Sequence, residues 1–438
     1  MEKKQADNKE ILRTLIALSV PTVLEEVLNT LVQYVDTAMV GRLGEQATAA
    51  VSVTTTITWL VNSISFAAGV AILAMISKAV GSGDEGRVRK ISQQALLVTA
   101  VFGIVTGSIS VLLSPCIPVW MKAEEAVRRP ASIYFMIVSL PMIFRSANII
   151  LGAAIRGTKD TRTPMFISFG SNLLNAVLNY LLIYTAGLGV AGAAIASAIS
   201  YTLSGTFMFI AYRRNRRLHW KWNSFRADRD LLRECAAIGV PVLGTSMASC
   251  LGYVVFAGLV SGMGTTIFAA HSIAVTAETI FYVPGYGLRT ATSTLVGISL
   301  GENNEEKLRK VSRLSIVLTV GMMCVSGLVL YFVSYPLMRL FTPVEEVARL
   351  GASVLKLVAF SEPFFGLMTV LEGIFYGMGR TRYAFLAETG SMWGIRILFT
   401  FLCVAVWKMD LRAVWYCMIA DNVCKAILFI LPAKKYVS

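Results

Sequence analysis

The sequence predicts an all-α membrane protein with twelve transmembrane helices in two six-helix bundles. Three observations lead to this fold class: the composition, the number of long apolar segments and an internal repeat. Of the 438 residues, 55% are hydrophobic and only 15% are charged, whereas about a quarter of an ordinary soluble protein is charged. A soluble chain of this length would need more polar residues to cover its cores, so soluble globular and disordered proteins are both excluded.

The charge and the cysteines narrow the class further. The net charge is +14, which in a membrane protein is typical of basic cytoplasmic loops, so we expect no nucleic-acid partner. There are only two histidines, and the seven cysteines are scattered and form no CxxC pair. We therefore expect no histidine metal site and read the cysteines as reduced packing residues. The mixed charges of residues 1–10 also argue against a removable signal peptide.

Twelve segments are apolar over the roughly 20 residues that a helix needs to cross a bilayer. The first six cover about 14–40, 47–78, 91–113, 130–155, 163–186 and 189–212. The second six cover about 233–261, 267–299, 311–333, 347–377, 383–408 and 411–433. With the N-terminus inside, the inside segments hold 27 Lys and Arg and the outside loops hold 8. Because cytoplasmic loops are enriched in these residues, we expect a multi-pass protein of the plasma (inner) membrane with both termini cytoplasmic.

The two halves of the chain repeat at a fixed offset of 220 positions. The clearest matches are Val20-Pro21 with Val240-Pro241, Gly44 with Gly264, and Arg89-Lys90 with Arg309-Lys310. Each half holds an even number of spans, so the two bundles should be related by a pseudo-twofold axis along the membrane normal. We expect an N-terminal six-helix lobe at 1–215, a basic cytoplasmic linker at 216–232 and a C-terminal six-helix lobe at 233–438. Rocking of two such bundles would expose a cleft to alternate sides, which favours transport over a receptor or an anchor.

Several motifs resemble those of the MATE (multidrug and toxic compound extrusion) transporters. They are VDTAMVGRLG at 35–44, AIRGTKDT at 154–161, NAVLNY at 175–180, GAAIA at 192–196 and AAH at 269–271. Their order, together with the twelve spans and the repeat, makes the chain similar to this family over nearly its whole length. The resemblance implies efflux of varied, often cationic organic compounds, coupled to re-entry of H⁺ or Na⁺.

A polar stripe on the first span points to a site inside the membrane. Glu25, Asn29, Gln33 and Asp36 follow one another at i, i+4, i+8 and i+11, which places them on one face of a helix. A charge within the hydrocarbon region is costly and by default marks a functional residue. The alternative is a stripe that only faces water in a vestibule.

Amides and hydroxyls on the fifth and sixth spans could complete such a site. Asn172, Asn175 and Asn179 share one helical face, and Ser197 begins a similar series on the next span. The alternative is that these side chains only form hydrogen bonds between neighbouring helices, as such groups commonly do in membranes. The resemblance carries Asp36, Asn175, Asn179 and Ser197 onto the coupling-ion cluster of the family's N-terminal lobe. Some members have an aspartate where Asn179 stands, so the choice between H⁺ and Na⁺ stays open. The only metal ion expected is Na⁺ at Asp36. We expect no other cofactor and no catalytic residue.

The remaining polar residues are candidates for substrate contact. Besides the stripe, these are Asn172 in the first half and Glu278, Tyr282 and Glu372 in the second; the full set of cavity candidates is Glu25, Asn29, Gln33, Asn172, Glu278, Tyr282 and Glu372. Glu–Arg pairs that only fix helix packing are the alternative for the glutamates. Arg145, in the fourth span, could neutralise Asp36, Glu25 or Glu26. A proline inside a helix removes a hydrogen bond and kinks it, so Pro21 should kink the first span. The resemblance implies that this helix bends when the carboxylate changes state, which makes Pro21 the predicted hinge. A purely architectural kink, repeated at Pro241, is the alternative.

We therefore expect a secondary-active multidrug efflux antiporter that acts as a monomer on small organic substrates in the lipid bilayer. The alternative is a lipid-linked sugar flippase of the same superfamily, which should present several basic residues to its cavity; deep cations here are few. A membrane-embedded enzyme would need a clustered nucleophile and base or a metal set, and the sequence offers neither. No ATP-binding segment is found: the glycine-rich 81–86 lacks the lysine of a P-loop and is predicted to be a turn.

Overall fold

Long helices make up most of the chain in the computed structural model, which describes residues 2–218 and 227–437, without the side chains of 2–7 and 437. Within those ranges, ten helices are long and apolar enough to cross a membrane, and two bent helix pairs raise the number of spans to as many as twelve. This confirms the all-α membrane fold class predicted from the sequence. Part of the predicted linker, 219–226, lies outside the described residues and includes His219.

The first six spans follow the predicted order. They consist of α1 (Glu2–Gly41), α2 (Glu45–Gly81), α3 (Glu85–Leu113), the short α4 (Ile117–Trp120), α5 (Glu125–Ser139), α6 (Met142–Gly157), α7 (Arg162–Asn179), a π-helical turn (Tyr180–Thr185) and α8 (Gly189–Arg214). The π turn continues directly from α7, so the two form the single span predicted near 163–186.

The second six spans repeat this pattern. They consist of α9 (Arg229–Ser261), α10 (Thr265–Gly301), α11 (Glu305–Phe341), α12 (Glu345–Ala359), α13 (Glu362–Gly377), α14 (Thr381–Ser391), a π turn (Met392–Ile397), α15 (Leu398–Phe401), a second π turn (Leu402–Val406) and α16 (Leu411–Val437). The second π turn overlaps the position of the Tyr180–Thr185 turn shifted by 220 residues.

Two spans that the sequence predicts as single helices are broken. The fourth span bends by 51° between α5 and α6, and the tenth bends by 54° between α12 and α13. Pro141 lies in the first break, where its missing N–H cannot bond to the preceding turn. The corresponding residue 220 positions later is Ser361, which precedes Pro363 at the start of α13. Both breaks therefore occur at equivalent places in the repeat.

The helix connections also repeat. Gly44 and Gly264 precede α2 and α10 with φ angles of +105° and +116°, a conformation that favours glycine. Asp84 caps α3 by accepting a hydrogen bond from the Arg87 N–H at 2.8 Å. Asn304, 220 positions later, caps α11 through the Lys307 N–H at 2.9 Å. The glycine-rich segment 81–86 is thus a turn between two helices, as predicted.

The structure divides into two units whose boundaries differ from those of the sequence repeat. The N-terminal unit is Leu28–Leu243, and the C-terminal unit combines Met1–Val27 with Gly244–Ser438. The N-terminal unit is built around an apolar core that includes Ile72, Ile91, Ile150 and Met208. The core of the C-terminal unit includes Phe256, Leu330, Leu355 and Trp415. The start of each half thus packs with the other unit, and the predicted lobe boundaries at 215 and 233 stay a prediction.

Candidate functional site

Asp36 lies in the last part of α1 and is half-buried within the N-terminal unit. The side-chain amide of Asn179, at the end of α7, donates a hydrogen bond of 2.6 Å from Nδ2 to Oδ1 of Asp36. A hydrogen bond to an ionised acceptor is shorter and about twice as strong as one between neutral groups. The fifth span therefore contacts the carboxylate directly.

Asn175, one helical turn before Asn179, lies against the same carboxylate. The hydrogen-bond pattern favours the amide orientation in which its nitrogen donates to Oδ1 and Oδ2 of Asp36, at 3.0 and 2.9 Å. The other amide atom of Asn175 is 3.5 Å from the Ser197 hydroxyl on α8. The structure thus brings together all four residues of the predicted coupling-ion site, Asp36, Asn175, Asn179 and Ser197; their role as ion ligands stays a prediction.

One oxygen of this cluster has no hydrogen bond. Oδ1 of Asn179 is buried and has no partner among the described residues. Leaving a buried acceptor unsatisfied costs about 1–3 kcal/mol. Carboxylate, amide and hydroxyl oxygens are the ligands that hard cations prefer. The cluster therefore supplies the donor types for a small cation, with one acceptor still available.

Packing around the end of α7 holds these side chains in place. The π turn that follows Asn179 brings Tyr184 towards α1, where its hydroxyl donates to the Met39 carbonyl at 2.8 Å. Ile183 of the same turn packs with Val40 in a small apolar cluster that also includes Ala47 and Ala193. Single π turns inside α-helices occur frequently at functional sites.

The predicted polar stripe lies on the continuous helix α1, and its members have different surroundings. Asn29 accepts a hydrogen bond of 2.5 Å from Asn172 of α7, which is a separate contact from that of Asp36. Gln33 is exposed, and Glu25 is buried within the C-terminal unit, to which Met1–Val27 belongs. Of the predicted cavity residues in the first half, the structure therefore brings Asn29 and Asn172 into direct contact.

The predicted hinge at Pro21 lies in a closely packed part of α1. The helix continues through Pro21 from Glu2 to Gly41. The Thr22 hydroxyl is 2.8 Å from the Gly287 carbonyl of α10. A side chain at Gly287 would come within 2.6 Å of the Val23 backbone, so α1 and α10 nearly touch here. Bending at Pro21 stays a prediction, and any such movement must act on this contact.

Sequence reasoning missed Tyr134 and left the partner of Arg145 open. Tyr134 of α5 packs against the apolar cluster next to Asp36. The Arg145 guanidinium lies over the Tyr201 ring, 4.4 Å from its centroid, and its buried Nη1 has no hydrogen-bond partner within residues 2–218 and 227–437. The one feature of the sequence that could have indicated the Arg145–Tyr201 contact is Gly205, one turn beyond Tyr201. Any side chain at Gly205 would overlap the backbone of Phe144. That close approach of α6 and α8 places Arg145 on Tyr201.

The second-half candidates have a different environment, in which one of the two acids, Glu372, is paired with a cation. Glu372 of α13 is paired with Arg289 of α10 at 2.7 Å, and both side chains are largely buried. Tyr282 packs against the Phe365 ring with a centroid distance of 5.2 Å. Glu278 is buried on the same helix as Tyr282 and Arg289. These candidates therefore lie within one packed region of the C-terminal unit.

A second ion-pair network joins the last two spans. Asp421 of α16 lies 2.9 Å from Arg396 and 3.1 Å from Lys425, and it accepts a hydrogen bond of 2.6 Å from the Ser391 hydroxyl. All four side chains are buried. Two cations surround one carboxylate here, so this acid is neutralised within the protein itself.

Comparisons with known proteins give a consistent result. The family model MatE matches residues 21–181 and again 241–402, so the internal repeat is also a repeat of the family model. A probable multidrug resistance protein NorM of Thermotoga maritima is 26% identical over 439 residues, which is 97% of this chain and 93% of the relative. The multidrug resistance protein PmpM of Pseudomonas aeruginosa is 24% identical over 396 residues, covering 88% of this chain and 82% of the relative. The structure of a multidrug resistance MATE family transporter in an outward-facing conformation superimposes with a TM-score of 0.93 at 20% identity, covering 98% of this chain and 96% of that one.

Proposed function

We propose, on the premise that the chain belongs to the MatE family of transporters, that it exports small organic compounds in exchange for H⁺ or Na⁺ that binds at Asp36. The names of its relatives as multidrug resistance proteins support a broad range of substrates. The charge of the substrates and the identity of the coupling ion are part of this proposal. Organic cations are the substrates expected from the resemblance.

One observation carries the proposal: the Asp36 carboxylate is bonded to side-chain amides, and no Arg or Lys in the described part of the chain is paired with it. Asn175 and Asn179 supply polar atoms that can either donate to the ionised carboxylate or turn their oxygens towards a bound cation. The unsatisfied Oδ1 of Asn179 would gain a partner in the second arrangement. A carboxylate fixed by Arg or Lys, in contrast, has no net charge left for a coupling ion.

Coupling requires that the loaded and empty forms favour different conformations, because a ligand shifts an equilibrium only by its differential affinity. Binding of H⁺ or Na⁺ removes the negative charge of Asp36 and rearranges the amides of α7. We propose that α1 then bends near Pro21 and that the N-terminal unit contracts, so that substrate leaves outward. Release of the cation to the inside resets the carboxylate for the next cycle.

The arrangement of deep cations argues against the flippase alternative. A site for a lipid pyrophosphate needs several basic groups that are not already neutralised. Arg289 is paired with Glu372, while Arg396 and Lys425 share Asp421. The other two deep cations, Arg145 and Lys356, each lie over a tyrosine ring, so they do not form a group of several free basic residues. Efflux of organic cations therefore fits the described residues better than translocation of a dianionic lipid.

Inside-out membrane vesicles with separately imposed gradients test the proposal. Accumulation of a cationic dye should respond to an H⁺ gradient or a Na⁺ gradient in the wild type. Asp36→Asn should lose the gradient-driven part by at least about tenfold while the protein stays folded and inserted, because the amide fixes the neutral state. The amount of protein in the membrane and its gel-filtration profile serve as controls. Wild-type transport by Asp36→Asn would remove Asp36 from the coupling mechanism.

A further inference from the structure

A groove between the start of α7 and the end of α8 forms a cavity of about 420 Å³ within the N-terminal unit. Its lining includes Asp160, Thr163, Ile167, Phe207, Ile210 and Arg214. Thr163 and Ile167 are one turn apart on α7, and Phe207, Ile210 and Arg214 follow one face of α8. The groove therefore lies at the end of the unit where one span begins and the next one ends.

The lining changes from apolar to basic along the helix axes. Phe207 and Ile210 are 52% and 38% exposed and lie on the span side of the groove. Arg214, at the last position of α8, is exposed on the terminal side. The apolar wall faces the membrane-spanning part of the helices and matches the acyl chain of a phospholipid. The basic group at the end of the groove matches its phosphate.

Hydrogen bonds hold the terminal side of the groove in shape. The Asp160 carboxylate accepts from the Thr163 N–H at 3.0 Å and from its hydroxyl at 2.7 Å. Asn215 donates to the Thr158 hydroxyl at 3.3 Å, which ties the two connecting segments together. Both Asp160 oxygens thus bond to Thr163 in the first turn of α7, and no described residue forms an ion pair with Arg214.

The surrounding segments give this end a strong positive charge. Residues 156–162 contain three Lys and Arg, and residues 213–217 contain four, whereas Asp160 is the single acid in both segments. A cluster of basic residues beside a transmembrane helix attracts anionic lipids, at about 1 kcal/mol for each residue near the surface. Charge complementarity therefore selects an anionic headgroup over a zwitterionic one.

The internal repeat supplies a comparison within the same chain. The residue 220 positions after Thr163 is Tyr383, whose hydroxyl donates to the Leu428 carbonyl at 2.5 Å and whose ring packs against Phe429. The residue equivalent to Asp160 is Arg380, which lies over the Tyr436 ring. In the second half, a tyrosine thus stands at the position of Thr163, and its side chain packs against α16.

We propose that the α7–α8 groove binds one anionic phospholipid, with its phosphate at Arg214 and the start of an acyl chain along Ile167, Phe207 and Ile210. This site is separate from the Asp36 cluster and does not depend on the transport reaction. It would fix the basic end of α7, the helix that carries Asn175 and Asn179, to one leaflet of the membrane.

Native mass spectrometry of the purified full-length protein tests the proposal, with dioleoyl phosphatidylglycerol and dioleoyl phosphatidylcholine as the added lipids. Arg214→Gln should lower the affinity for phosphatidylglycerol about fivefold, as expected for the loss of one basic contact. Lys90→Gln removes the same charge from an exposed position at α3 that does not line the groove, and it should have little effect. Thr163→Tyr copies the second half and should abolish tight binding by filling the groove, whereas Thr163→Val removes only the hydroxyl and should retain it.

The outcomes separate the proposal from simpler explanations. Equal losses for Arg214→Gln and Lys90→Gln would show diffuse attraction to a basic surface and overturn the site. Equal binding of the two lipids would overturn the anionic headgroup, and unchanged binding by a monodisperse Thr163→Tyr protein would place the lipid elsewhere. If Thr163→Tyr does not fold, Phe207→Ala decides the acyl contact, because it should weaken phosphatidylglycerol binding while Lys90→Gln does not.

Discussion

At the scale of single residues, the acids of this protein differ most in what neutralises them. Asp36 receives hydrogen bonds from two asparagines, whereas Glu372 and Asp421 are paired with Arg or Lys. Removing one partner from a buried ion pair leaves an uncompensated charge, so a paired acid is held by its own cation and does not readily take up another. Asp36 has no such partner among the described residues. Glu362 is also buried, and neither of its carboxylate oxygens has a hydrogen bond within that part of the chain, whereas Asp36 is bonded to two amides. Asp36 therefore combines an unpaired carboxylate with neighbouring polar ligands, which makes it the candidate for cation exchange.

Asn179→Ala tests the direct contact with this carboxylate. It removes the 2.6 Å donor to Asp36 and the unsatisfied oxygen beside it. Hydrogen bonds to charged groups contribute about 1.5–3 kcal/mol, so the concentration of coupling cation for half-maximal efflux should change by about tenfold or more. The measurement is dye efflux at a series of H⁺ and Na⁺ concentrations. Asn172→Ala, on the same face but bonded to Asn29, is the control and should leave that concentration unchanged.

The sequence predicted the members of this cluster but not its geometry. The spacing of Asn175 and Asn179 placed them on one helical face, and the family resemblance joined them to Asp36 and Ser197. Tyr134 could not be found in the same way, because a tyrosine in an apolar span carries no periodic signal. The π turn after Asn179 was also missed, since its position depends on packing against Met39 and Val40 rather than on local preference.

At the scale of helices, glycines decide where spans approach each other. The Cβ of an alanine at Gly205 would overlap the carbonyl of Phe144, whereas Gly170 of α7 has no atom within 4 Å of its Cβ position. The existence and limits of the spans followed from hydropathy. The breaks near 141 and 361 did not, because a proline can either start a new helix or be tolerated inside one, as Pro21 is in α1.

Gly205→Ala should therefore separate α6 from α8 and weaken the contact of Arg145 with Tyr201. Overpacking of this kind typically costs about 1–3 kcal/mol, so the apparent melting temperature in detergent should fall. Gly170→Ala is the matched control: it should be neutral or slightly stabilising, because alanine favours a helix over glycine by about 0.5–1 kcal/mol. Equal melting temperatures for the two variants would mean that α6 and α8 are not in backbone contact.

The Arg289–Glu372 pair connects α10 to α13, and its loss should be more damaging than its replacement. Glu372→Gln leaves a buried guanidinium without its counter-charge, which typically costs about 3–5 kcal/mol. The double variant Arg289→Met with Glu372→Met removes both charges and should recover much of that loss. Thermal unfolding of the single and double variants, followed by tryptophan fluorescence, measures the difference. A double variant no more stable than Glu372→Gln would contradict the assignment of a structural ion pair.

At the scale of the whole molecule, the repeat and the units divide the chain differently. The sequence repeat relates the first half of the chain to the second half. The packing units differ from these halves, because Met1–Val27 belongs to the C-terminal unit and the first part of α9 belongs to the N-terminal unit. Arg87 of α3, for example, is bonded to Glu234 of α9 at 2.8 Å. Hydropathy and repeat matching could not reveal this exchange, because both describe the order of spans and carry no information on which spans pack together.

The distribution of Lys and Arg predicts that the connections at the basic ends of the spans are cytoplasmic, and cysteine labelling tests this in intact cells. Native Cys116 follows α3 at the opposite end and is exposed. It should react with a membrane-impermeant maleimide added from outside, and Cys116→Ser should lose that reaction.

Lys90→Cys in the Cys116→Ser background places an exposed thiol near the start of α3, which should react only after the cells are permeabilised. Arg129→Cys, an exposed position near the start of α5, should react from outside like Cys116. Since Lys90 and Arg129 are both exposed and both lose one positive charge, a difference in labelling reports only the side of the membrane. Reaction of Lys90→Cys in intact cells would reverse the orientation and, with it, the direction of transport.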